Sequence, residues 1–120
     1  MKSLLALSFA ALVTALPASA QTTLNVVTAG DQNMVDYVNT FLAPRFEKLN
    51  PGVAVKAVGT GPGDAGSQKI YEKLSAQSKA GVASWDVDVA VIHQRDAATM
   101  IKENLLAPYR KEIATDKLVS

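Results

Sequence analysis

An α/β fold on a parallel open sheet is what this chain predicts, and three observations carry the prediction. Short β-branched segments recur at Leu24 to Ala29, Val53 to Gly59 and Val87 to Ile92. Each is followed by a stretch whose apolar residues fall at helical spacing. Turn-forming Gly, Pro, Asn or Asp separates the segments. Strands alternating with helices in this way build parallel sheets with right-handed crossovers, so three strand-helix units are expected.

Ahead of the first unit, residues 1–20 read as a cleavable signal peptide. Met1-Lys2-Ser3 is a short basic start, Leu4 to Leu16 an apolar run of 13 residues, and Ala18-Ser19-Ala20 a small-residue cleavage pattern. A membrane-spanning helix needs about 20 apolar residues, and Pro17 ends this run early. The mature protein is expected to begin at Gln21, periplasmic or secreted, with no membrane insertion after cleavage. With no Cys there is neither a lipid-modified terminus nor a disulfide, so a hydrophobic core must hold the fold. Lys2 leaves with the leader, and 11 basic side chains then balance 11 acidic ones. Such neutrality offers no electrostatic footprint for nucleic acid or an anionic membrane face.

Leu24-Asn25-Val26-Val27-Thr28-Ala29 ends at Gly30 and is apolar enough to be buried on both faces. Asp31-Gln32-Asn33 supplies capping side chains for a helix carrying Met34, Val35, Val38, Phe41, Leu42 and Leu49 on its packed side. Pro44 interrupts that helix and predicts a kink or restart near Ala43, and Asn50-Pro51-Gly52 stops it. The second strand brings Val53, Val55 and Val58 to Gly59, and a glycine-rich turn runs on to Gly66. Ser67 is expected to cap a helix reaching about Ala80, with Ile70, Tyr71 and Leu74 inward and Gly81 as the stop. Val87, Val89, Val91 and Ile92 form the third, buried strand, and Arg95 to Glu103 a short helix with Ala97, Met100 and Ile101 inward.

In a parallel open sheet all strands point their carboxyl ends to one edge, where ligands bind. Three polar loops should converge there: Gly30 to Asn33, Gly59 to Ser67, and His93-Gln94. Gly61-Pro62-Gly63-Asp64-Ala65-Gly66 spells the dinucleotide fingerprint, with Asp86 in the acidic position beyond it. It follows the second strand rather than the first, on a chain marked for export, so that reading is set aside. The phosphate-loop variant fails because Ser67-Gln68 replaces Lys then Ser or Thr. What remains is a flexible loop, or ligand binding by backbone amides at a helix start.

His93 is the sole histidine, readable as a satisfied polar residue or a solute contact, and lacks metal-ligating companions. Asp31 and Gln32 can cap a helix or touch ligand. Trp85 and Tyr109 can stack on a flat solute but read more simply as packing, and Asp86 and Asp88 mark the start of the third strand. The candidate wall is therefore Gly30, Asp31, Gln32, Gly61, Gly63, Asp64, Ala65, Gly66, Ser67 and His93, with no catalytic residue, cofactor or metal.

Four further segments occur in a telling order. Phe46-Glu47-Lys48 leads into Asn50-Pro51-Gly52-Val53-Ala54-Val55, then come Trp85-Asp86-Val87-Asp88-Val89 and Leu105-Leu106-Ala107-Pro108-Tyr109. With the export signal, they resemble the N-terminal part of type II (family 1) extracellular solute-binding proteins of ABC importers. The resemblance implies two α/β lobes that close by a hinge around a small solute, and a monomer that docks on a membrane permease. The family's members are longer, and a strand returning from the second lobe completes their first. Residues 21–120 are thus expected to be an incomplete, truncated first lobe with an exposed sheet edge. The competing expectation is a small secreted α/β hydrolase or transferase using His93 with Asp31 or Asp64. It lacks a G-x-S-x-G elbow, a cysteine and metal-ligand spacing.

Overall fold

A computed structural model describes residues 21–108. The predicted leader, Tyr109 and the rest of residues 109–120 lie outside the described residues. The order is β1 (Thr22–Thr28), α1 (Gln32–Tyr37), a π-helical turn (Val38–Leu42), α2 (Ala43–Leu49), β2 (Val53–Gly59), α3 (Gly63–Lys79), β3 (Val89–Val91) and α4 (Gln94–Lys102). The three strands form one parallel sheet in the order β2-β1-β3. Thr22 pairs with Val53 and Thr28 with Gly59, while Val26 pairs with Val89 and Thr28 with Val91. The α/β class and the three strand-helix units are therefore present.

Central position explains the composition of β1. Successive strand residues face opposite sides, so burial of Val26, Val27, Thr28 and Ala29 in a row requires cover on both. On one face Val26 packs with Ala57 against Val35 and Val38. On the other, Val27 and Ala29 pack against Ile70 and Leu74 of α3, Met100 of α4 and Leu105, with Trp85 and Ala90 alongside. Tyr71 ties α3 to the end of α4 by donating its hydroxyl to the Glu103 carboxylate at 3.0 Å, and this bond raises the Tyr71 pKa.

Pro44 acts as its chemistry demands. It lacks an N–H and crowds the carbonyl four residues back, and the helix widens into the π turn before restarting at Ala43. Helix α3 ends as foreseen at Gly81, whose φ of 63° suits glycine. The Gly81 and Val82 amides donate to the Ser78 and Gln77 carbonyls, the paired bonds of a Schellman ending.

The outer edge of β2 is covered by its own helix. The Asn39 side chain accepts from the Ala57 N–H at 2.9 Å and donates to the Ala57 carbonyl at 3.1 Å. Glu47 accepts from the Val55 N–H at 2.7 Å. Asp88 does similar work between β1 and β3, accepting from the Asn25 N–H at 2.7 Å, and Asp86 pairs with Lys73 at 2.7 Å. Both aspartates thus serve the start of β3.

Several expectations are corrected. Helix α3 starts at Gly63 with Pro62 before it, so Ser67 is an interior helical residue and not its cap. Strand β3 is three residues long and lies at the sheet edge, and α1 and α2 leave its face open, so Val89 and Val91 are exposed where a buried strand was expected. Ile101 is 62% exposed although expected inward, because α4 turns a single row at Met100 to the core. Phe41, Leu42 and Leu49 are also exposed, since two strands cannot cover the whole apolar side of α1 and α2.

Met100 is fully buried and joins α4 to the sheet. Met100→Ala should cost about 2–5 kcal/mol, read as a lowered urea midpoint. The hydrogen bond from Lys73, supported by Gln77, holds the Asp86 pKa below its ordinary 3.8 against a smaller push from burial. A lowered carboxyl pKa stabilises the fold above that ordinary value, and the contribution is lost as pH falls through the folded-state pKa. Asp86→Asn should therefore lower stability at neutral pH by about 0.2–1 kcal/mol, because the pair is exposed. Urea titrations in acid should show that gap closing below the ordinary carboxylate range.

Candidate functional site

The parallel sheet brings the carboxyl ends of all three strands to one edge. Helix α1 leaves β1 on one face while α3 and α4 pack on the other, so the chain diverges between β1 and β3. A crevice outside such a divergence is where open α/β sheets take ligands.

Polar bonds tie the second loop to the third and to the end of β1. The Thr60 amide donates to the Thr28 carbonyl at 2.9 Å, and the Thr60 hydroxyl lies within 3.1 Å of that carbonyl and 2.9 Å of the Gly66 carbonyl. The Lys69 ammonium donates to the Thr60 carbonyl at 3.2 Å. The His93 N–H donates to the Ser67 hydroxyl at 3.1 Å, and the Ala29 N–H to the Val91 carbonyl at 2.8 Å. Gly61 and Gly63 hold φ values of 100° and 64°, which L side chains rarely adopt.

Of the ten residues predicted to line the wall, eight reach this edge. Gly30 is half-buried at the exit from β1, and Asp31 is exposed at the start of α1 without a side-chain capping bond. Gln32 is exposed, and its amide donates to Asp36 at 2.9 Å along the helix. Gly61 and Gly63 form the half-buried loop, Asp64 and Ala65 the exposed first turn of α3, and His93 the exposed residue before α4. Gly66 and Ser67 lie beneath the surface and support it. A Cβ at Gly66 would overlap the Gly61 carbonyl, and Ser67 is fully buried.

None of α1, α3 and α4 has a side-chain cap. The first amides of a helix have no intrahelical acceptor, so three helix starts present donors at one edge. Sequence reasoning missed Arg95, which pairs with Asp64 at 2.7 Å and links the starts of α3 and α4. Its only signal was its place two residues after His93. Asp64 is bonded to Arg95 rather than to the His93 ring, so the acid-base pairing expected of a hydrolase is not assembled through Asp64.

A concavity of about 300 Å³ lies elsewhere, beside Trp85, Leu74, Leu105 and Leu106. Its wall is mainly apolar, and its one carboxylate, Asp88, is already bonded to Asn25. Trp85 accordingly packs on the core, and the carboxyl edge is the better candidate because polar groups converge there. Among the described residues no cluster of His, Asp or Glu could hold a metal ion, and no helix is long and apolar enough to cross a membrane. Comparisons with protein-family models, curated proteins and solved structures return no match.

Ser67→Ala leaves the His93 N–H without its acceptor and should cost about 1–3 kcal/mol. Hydrogen exchange read by NMR should show the His93 amide losing protection while the β1 amides keep theirs relative to the new global stability.

Proposed function

We propose that this chain is the exported solute-binding component of an ABC importer, or the first lobe of one, and that it has no catalytic role. It takes a small solute at the carboxyl edge and passes it to a membrane permease. The observation that carries this reading is the meeting of three polar loops at the divergence between β1 and β3, the second bonded to the end of β1 through Thr60 and to the third through Ser67. Gly30, Asp31, Gln32, Gly61, Gly63, Asp64, Ala65 and His93 offer the accessible surface of that wall, with Gly66 and Ser67 as its support. Export follows from the leader pattern at residues 1–20 and the small-residue cleavage site before Gln21.

Such a wall is built for recognition rather than bond-breaking. Backbone amides at uncapped helix starts bind acceptor atoms but supply no nucleophile. A second wall facing it would enclose the solute, and that is the arrangement implied by the resemblance to two-lobed carriers.

Expression of the full chain in a Gram-negative host should yield a periplasmic product whose mass begins at Gln21. Thermal melting of that product against a panel of sugars, polyamines, amino acids and oxyanions should show a rise with one class and no turnover. A solute at a hundred times its Kd adds about 2.7 kcal/mol of stability. A product retained in the cytoplasm, or a melting point that no solute moves, would refute the proposal.

A further inference from the structure

Two arginines fall among the described residues. Arg45 is committed to the Phe41 ring at 3.4 Å and to the Phe41 carbonyl, leaving Arg95 as the guanidinium at the carboxyl edge. One of its terminal nitrogens lies 2.7 Å from Asp64, and its Nε is 4.0 Å from Asp96, beyond hydrogen-bond range. The Arg95 and Asp64 side chains are 72% and 62% exposed. An ion pair so open to water contributes little and is readily exchanged. The planar guanidinium fork also matches carboxylate, sulfate and phosphate geometry.

We infer that Arg95 selects solutes carrying an oxyanion and that Asp64 is its resident competitor, a deepening that rests on the reading of this edge as the solute site. Asp64 holds the fork where the solute's oxyanion would dock. The opposite polarity, with Asp64 drawing a cation and Arg95 competing, is disfavoured by the surrounding backbone. Four carbonyls at this edge are already engaged: Thr28 by Thr60, Val91 by Ala29, Thr60 by Lys69, and His93 by Asp96 and Ala97. The adjoining starts of α3 and α4 have no side-chain caps and present N–H groups, so a cation would meet donors where it needs acceptors.

The test is calorimetric titration of the full chain's exported product with sulfate, phosphate, citrate, spermidine and glucose, at low and physiological ionic strength. Asp64→Asn removes the competitor at nearly constant size and should tighten the bound anion about three- to tenfold. Arg95→Gln should weaken the same anion at least tenfold, and Arg95→Lys should recover only part of it. Circular dichroism should match the parent for all three variants, because both side chains are exposed. An anion affinity unchanged by Arg95→Gln would overturn the inference, as would tighter spermidine binding in that variant. Binding of glucose or spermidine alone by the parent would also overturn it while leaving the solute-binding reading intact. Failure of all five probes would overturn the inference, and the solute-binding reading would then stand or fall by the wider melting panel.

Discussion

Parallel pairing of β1 on both of its sides is the constraint from which the rest follows. With both edges paired and helices over both faces, four consecutive residues from Val26 to Ala29 are buried. Each face then demands its own helical layer, and α1 and α3 settle on opposite sides of the sheet. Parallelism also sends every strand's carboxyl end to one edge. The polar loops gather there because the chain must turn there three times, and the Thr60 and Ser67 bonds fix what the topology has brought together.

A three-stranded sheet has two free edges, and this one treats them differently. On β2, Asn39 and Glu47 reach over from their own helix to engage the Ala57 and Val55 amides. Those side chains occupy the groups another strand would seek, which is how natural sheets block edge pairing. Among the described residues no strand pairs with the outer side of β3, which is short. Beside it Val89, Val91, Leu42 and Phe46 border an apolar groove on the face that α1 and α2 leave partly open.

Local chemistry was legible in the chain and lateral placement was not. Pro44, Gly81 and the β-branched runs act on their immediate neighbours, so the helix restart, the helix end and the strands could be read directly. Val89 and Val91 look as buried as Val26 and Val27, but burial depends on whether a helix covers the face, and α1 and α2 leave the face of β3 open. Ile101 has the same difficulty, because Met100 beside it already fills the one row of α4 that meets the core. At the carboxyl edge, the position of eight of the ten named residues followed from loop position alone. Ser67 was misjudged because its partner, the His93 amide, is 26 positions away. Arg95 was missed because an ion pair between two helix starts leaves no pattern in either one.

The Gly61 to Gly66 spelling illustrates why a motif must be read by the job of each residue. In dinucleotide-binding folds the last glycine of the pattern lets helix and strand approach closely. Gly66 meets the same steric demand here, lying against the Gly61 carbonyl and close to the Ala29 backbone, while Gly61 and Gly63 supply left-handed turns. Any tight passage from a parallel strand into a covering helix imposes these requirements, whatever the ligand. The spelling therefore reports the close packing of α3 on β1 at the carboxyl edge. On the proposed reading, ligand identity falls to the side chains that this packing brings to the surface, Asp64 and Arg95 foremost among them.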